Sequence, residues 1–263
     1  MDLGSLIGLV AGIIFVILTI MFGADMDFMA VGEFADAPSV MIVIGGTLAS
    51  TLIAYPLSTV LKAFKAAKLI FMPPKFEHAE AISRIITLSN LARREGVLAL
   101  EETAQNMDDP FLKKGVMLVV DGGDPELVRS VLETEMTFIE NRHNSIASVW
   151  DMISASAPAW GMVGTMVGMV LLLGALDDME ALAANMAIVL ITTFYGGLVA
   201  NFLATPISNK LKAINAEEML QKEVLIEGIL SIQAGENPRI IEEKLKAFIA
   251  PALRNAEGSE GGE

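Results

Sequence analysis

The apolar positions of this chain gather into four long runs, approximately Leu3 to Phe22, Val40 to Leu61, Met152 to Leu176 and Ala183 to Pro206. None contains Asp, Glu, Lys, Arg or His. Crossing the hydrocarbon of a bilayer takes about 20 mostly apolar residues, so each run predicts a transmembrane helix. The first has no basic segment before it and exceeds the 7–15 residues, roughly, of a signal-peptide core. It is expected to remain as an anchor.

Between the second and third runs the pattern becomes amphipathic. Ile82, Ile85, Ile86 and Leu88, with polar residues between them, give Glu77 to Leu91 a helical period. Asp108, Asp109 and Pro110 break the chain before a short helix from Phe111 to Val120. Asp124, Pro125 and Glu126 combine an N-cap, a proline at the first helical position and an acid in the first turn. From Pro125 no Gly or Pro intervenes before Pro158, which predicts one helix running from polar surroundings into the third span. Leu211 to Ala234 mirrors this on leaving the fourth, with Gly235 as its stop. Asn237 and Pro238 open a last helix, Arg239 to Phe248, before a Gly- and Glu-rich end expected to be disordered. The fold expected is an all-α integral membrane protein. Residues 1–61 and 148–207 form two transmembrane hairpins. Residues 62–147 form a helical cytoplasmic domain, and 208–263 supply C-terminal helices and the tail.

Charge gives these spans an orientation. All 18 Lys and Arg lie in 62–151 or 207–263. The connections at 24–39 and 177–182 hold acids and no Lys or Arg. Positive loops stay inside, so the middle segment and both termini are expected in the cytoplasm. The net charge of −14 argues against nucleic acid, whose phosphates need a basic surface. With 53% apolar residues before glycine is counted, a soluble enzyme is a poor fit. The absence of cysteine excludes disulfides and thiolate metal sites. No phosphate loop, H-E-x-x-H or G-x-S-x-G occurs, so no enzyme and no cofactor are expected, and neither His78 nor His143 receives a role.

A few polar or small residues in the spans could do more than fill them. Thr165, Thr192, Thr193 and Tyr195 form a hydroxyl cluster that either bonds its own helical turns or lines a path for an ion. No carboxylate accompanies it in the spans, so an ion's counter-charge would come from another polypeptide. Pro158 and Pro206 are either static bends or hinges. Small residues four apart, at Gly4, Gly8 and Gly12, at Gly164 and Gly168, and at Gly196, Ala200 and Ala204, allow close helix packing within one subunit or between subunits. Arg93, Arg94 and Glu95, then Glu101 and Glu102, read as solvated charge.

Taken in order, five stretches resemble the A subunit of the bacterial flagellar stator, the MotA/PomA family: Asp36 to Thr47 (D-x-P-S-x-x-I-V-I-G-G-T), Ala92 to Glu102 (A-R-R-E-G-V-L-A-L-E-E), Ala157 to Thr165 (A-P-A-W-G-M-V-G-T), Leu190 to Gly196 (L-I-T-T-F-Y-G) and Asn237 to Ile241 (N-P-R-I-I). The resemblance spans nearly the whole chain. It implies an inner-membrane, ion-driven torque generator: a homo-oligomer of five A subunits around two MotB/PomB-type B subunits, whose membrane helix brings the missing acid, driving the rotor protein FliG. It implies that Arg93 and Glu101, with neighbouring Arg94 and Glu95, face the rotor, that Pro158 and Pro206 are the paired hinge prolines, and that Thr165 and Thr193 lie in the ion path. Asp36 then affects coupling outside span two. Ala155 departs from the sodium-type pattern, which has an Asp there, with Asp151 one turn earlier. Na+ and H+ both stay open as the transported ion. An ExbB/TolQ-like energiser of envelope transport is the alternative, and a passive scaffold a third reading.

Overall fold

The computed structural model describes residues 2–249; the expected disorder of the Gly- and Glu-rich end lies outside them. The described residues form helices and connecting turns, with no strand among them. In chain order the α-helices are α1 (Leu3–Gly23), α2 (Ala30–Glu33), α3 (Ala37–Val40), α4 (Gly46–Ala54), α5 (Leu57–Ala66), α6 (His78–Glu95), α7 (Leu100–Gln105), α8 (Pro110–Val120), α9 (Pro125–Leu173), α10 (Met179–Gly197), α11 (Thr205–Gln233) and α12 (Pro238–Lys246). Four helical stretches are long and apolar enough to cross a membrane: Leu3–Gly23, Ala37–Ala54, Pro125–Leu173 and Met179–Gln233.

Helix ends follow local chemistry. Asp2, Asp109 and Asp178 each accept backbone N–H groups in the first turn of α1, α8 and α10, and Asp124 accepts from Glu126 at 3.0 Å at the start of α9. These side chains satisfy donors that have no partner within the helix. The 49 residues of α9 extend about 74 Å at 1.5 Å each, over twice the roughly 30 Å of hydrocarbon. One continuous helix is therefore long enough to cross the bilayer and to continue beyond it.

Span two departs from the expected run of 40–61. Its helix ends at Ala54, Tyr55 is extended, and a separate helix, α5, begins after Pro56. The proline ring disfavours helical backbone in the residue before it, and this outweighed continuous apolarity. Spans two and four also contain π-helical turns, at Met41–Gly45 and Leu198–Ala204. In the latter, Thr205 N–H donates to Ala200 O, five residues back, directly before Pro206. A proline cannot donate to the carbonyl four residues before it, and the wider turn takes up the altered register.

The chain divides into two compact units. The first combines Met1–Pro74 with His143–Ile214. Its buried cluster includes Val60, Ala63, Val149, Trp150, Ile153, Ala204 and Leu211. Trp150 donates its indole N–H to the Ala63 carbonyl at 3.1 Å and meets the Phe64 ring edge-on, which fixes α5 beside the base of span three. The surface of this unit is unusually apolar: α1 has no buried residue, and Ile7, Phe15, Val170 and Leu190 are all exposed. Such a surface is tolerated where lipid or other subunits cover it.

The second unit combines Lys75–Arg142 with the chain from Asn215 onward. Its core joins Ile85 and Leu88 of α6, Leu100 of α7, Phe111 and Val116 of α8, Val128 and Leu132 of α9, Val224 and Ile229 of α11, and Ile241 and Leu245 of α12. The helical period expected for Glu77 to Leu91 is realised here: Ile82, Ile85 and Leu88 face inward. Helix α11 ends where expected, with Gly235 at a φ of 68°.

Candidate functional site

Spans three and four approach until backbone meets backbone. A Cβ on Gly161 would lie 2.9 Å from the Thr192 carbonyl oxygen, and one on Gly196 would lie 2.8 Å from that of Ala157. These separations are too short for any side chain, so glycine is required. Gly164 and Gly168 complete the contact, facing Thr192 and Val189. These ridges therefore pack within one chain, whereas a Cβ on Gly8 would meet nothing within 4 Å.

The close crossing brings Thr165 against Thr193, with 2.7 Å between their hydroxyl oxygens. Thr165 Oγ1 also lies 3.1 Å from the carbonyl oxygens of Gly161 and Val189. A hydroxyl carries one proton. Thr165 can therefore donate to only one of these oxygens at a time, and the others remain free to accept. The result is a half-open set of neutral hydroxyl and carbonyl oxygens, the donor type that hard cations take. Thr193 is exposed and Thr165 half-buried, so the set opens to one side. Thr192 is fully buried and donates to Ile188 O at 2.7 Å; it adjoins the cluster but is committed to its own helix. Tyr195 does not join it. Its hydroxyl donates to the Phe34 carbonyl, tying span four to the connection before span two. Three residues of the expected hydroxyl group are thus brought together and the fourth is turned to another face.

Towards the other end of the same two spans lies a second polar group. Ser154 and Thr205 share a hydrogen bond of 2.6 Å, and Asp151 accepts from Ser208 at 2.6 Å while pairing with Lys212 at 2.7 Å. The charge of Asp151 is therefore compensated within the chain, unlike that of a carboxylate left open for an ion. No group of three or more metal-ligating side chains occurs among the described residues.

The two prolines have different settings. Pro158 sits inside α9 with its Cα against Gly196 of the opposite span. Pro206 follows the π turn and lines a cleft beside α1. Asp36 caps the start of span two, accepting from Ser39 N–H at 2.8 Å. Below it, Ser39, Val43, Thr47 and Thr51 form a buried stripe, and the hydroxyls of Ser39 and Thr47 have no hydrogen-bond partner. Sequence reasoning assigned this stripe nothing, although Ser39 and Thr47 stand in the Asp36 to Thr47 motif and recur at helical spacing.

The charged residues form a corner of the second unit. Arg93, Arg94 and Glu95 end α6, Gly96 turns the chain at φ 88°, and a 3₁₀ turn at Val97–Ala99 leads into α7, which carries Glu101 and Glu102. All five charged side chains are exposed, and Glu101 accepts a bond from Gln105 at 3.5 Å, the outer limit of such a contact. Leu98 stands at the apex, 73% exposed. Between Arg93 and Glu102 Leu98 is the one large apolar side chain left exposed, and its place at the turn could have been read from the Gly96 break.

Comparison with known proteins identifies the family. The model of the MotA/TolQ/ExbB proton channel family matches residues 103–224. Motility protein A of Treponema pallidum is 40% identical, across 97% of this chain and 96% of that protein. Motility protein A of Borreliella burgdorferi is 39% identical across the full length of both. The flagellar MotAB stator complex of Bacillus subtilis contains a chain that superposes with a TM-score of 0.86 at 30% identity, over 97% of this chain and 98% of that one. The relatives also cover the N-terminal hairpin and the charged corner, which lie outside the matched family model. With four apolar spans, a glycine-lined crossing bearing threonine oxygens and relatives along its whole length, the chain belongs to the motility protein A branch of the MotA/TolQ/ExbB channel family, the stator subunits of the flagellar motor.

Proposed function

We propose that this protein conducts Na+ or H+ past Thr165 and Thr193 as one of five A subunits around two MotB/PomB-type B subunits, and that the ring drives the rotor protein FliG through the corner bearing Arg93, Arg94, Glu95 and Glu101. The observation that carries the proposal is the oxygen cluster between spans three and four, in a chain whose four long apolar runs, 3–22, 40–61, 152–176 and 183–206, hold no carboxylate. An ion shedding water needs oxygen ligands and a counter-charge; this chain supplies the first and leaves the second to a partner helix. The distribution of Lys and Arg supports placing both termini and the charged corner in the cytoplasm. Pro158, pressed against span four, and Pro206, beside the π turn, are the points where an ion-dependent change at the threonines reaches the water-exposed helices. Each charge crossing 100 mV supplies about 2.3 kcal/mol, enough for a small step at such a hinge. Asp36, through its cap, holds the entrance of span two and so influences coupling.

The test is restoration of swimming in a motile cell lacking its own stator, with the chain expressed beside its B-type partner. Swimming speed that tracks external sodium at constant proton-motive force assigns Na+, and speed that ignores sodium assigns H+. Absence of both torque and ion current with every B-type partner would overturn the proposal.

A further inference from the structure

The first unit contains a cleft of about 770 Å³. Its walls are Gly8 and Leu9 of α1, Ile70 and Phe71 after α5, and Phe202 and Leu203 of the π turn. Its volume is within the range of small-molecule sites, about 300–1,000 Å³. One end is closed by polar links: Asp2 N–H donates to the Phe71 carbonyl at 2.9 Å, and Lys210 donates to the Asp2 carboxylate. Lys68 stands on the rim at this end, exposed and with no ion pair among the described residues.

The element that carries Lys68 has its own chemistry. From Leu57 to Phe76 the chain has four lysines, at 62, 65, 68 and 75, and no acid. On α5, Lys62 and Lys65 are exposed beside Leu57, Leu61 and Phe64, which are exposed too, while Val60 and Ala63 are buried against the spans. A helix that shows apolar and basic side chains together to the outside lies in a membrane surface, with its lysines at headgroup depth. The cleft opens beside this helix. It thus offers an apolar trough running along a span and an unneutralised lysine at the headgroup end.

We infer that the cleft is a binding site for an anionic glycerophospholipid, with an acyl chain lying between α1 and the π turn of span four and the headgroup phosphate on Lys68. This goes beyond ion conduction and rotor contact, because the occupant would touch Phe202 and Pro206 and couple the bilayer's composition to the segment with the irregular helix. A zwitterionic lipid fits the trough equally but lacks the net charge that the basic rim selects. Gly8 keeps the trough open: it lines the cleft, and a Cβ there would meet nothing within 4 Å.

The test is native mass spectrometry of the complex of this chain with its B-type partner, extracted in detergent and titrated with phosphatidylglycerol or with phosphatidylcholine of identical acyl chains. Phosphatidylglycerol is expected to remain bound and phosphatidylcholine to dissociate first. Lys68→Gln should weaken phosphatidylglycerol about fivefold, the equivalent of about 1 kcal/mol for one lysine near an anionic headgroup. Gly8→Leu should abolish retention of either lipid while the mass of the complex stays unchanged. Equal retention of the two lipids, or no effect of Lys68→Gln, overturns the assignment. A smaller assembly in Gly8→Leu also overturns it, since the cleft would then be filled by a second copy of the chain.

Discussion

Thr165 and Thr193 illustrate how little a residue's identity says about its role until its neighbours are known. A membrane threonine ordinarily bonds its own helix, and Thr192 does so. Thr165 has that option through Gly161 O, yet also faces Val189 O and the Thr193 hydroxyl across the crossing. Thr165→Val should therefore lower ion current about tenfold, roughly 1.4 kcal/mol of barrier, with the complex still assembled; Thr192→Val should change current far less. Current through reconstituted complexes separates the two. The glycines beneath allow a second prediction. Gly196→Ala forces a Cβ to 2.8 Å from a carbonyl oxygen, and overpacking of this kind costs about 1–3 kcal/mol. Its melting temperature in detergent should fall, while Gly197→Ala, with open space around it, should leave it unchanged.

At the level of elements, two of the spans are irregular beside a proline, whereas α9 continues through Pro158. Pro56 separates α4 from α5, and Pro206 follows the π turn at Leu198–Ala204. Restoring an N–H with Pro206→Ala should let span four regularise. The expected outcome is a higher melting temperature together with weaker torque, because π turns concentrate at sites that move; unchanged torque would make the turn a static accommodation. The beginning of α1 is pinned electrostatically. The Lys210 ammonium, with help from the Ser5 hydroxyl and backbone, holds the Asp2 carboxyl at about 2, below its ordinary 3.8. Because the folded value is the lower one, the contribution is complete above pH 3.8 and disappears as pH falls through about 2. Thermal unfolding of wild type and Lys210→Gln should therefore differ at neutral pH and converge across that window.

For the whole molecule, the surface proposed to meet the rotor is the corner built by α6, Gly96 and α7. Charge reversal at Arg93 or Glu101 should reduce swimming while leaving the purified complex intact, since exposed charges contribute little to folding, about 0–1 kcal/mol. Normal swimming in both reversals would remove the rotor role. Leu98→Asp should impair swimming at least as strongly if the apex is the apolar centre of the contact, and paired measurements of motility and expression would show it.

The sequence by itself determined that there are four spans, though not where the second ends, because charge-free runs of that length have few alternatives to lipid. It also determined the long helices and their caps, because Asp before Pro and Gly after the last turn act locally. The acidic and basic connections could be sorted by counting, and the family motifs were legible as strings. What only the tertiary structure decided depends on atoms distant in the chain. It took Tyr195 away from the threonines, since its partner Phe34 lies 161 residues earlier. It neutralised Asp151 with Lys212, buried the Ser39 to Thr51 stripe and left Gly8 facing an open trough. Helical period fixes which residues share a face; which face meets a neighbour is set by the packing of separate spans.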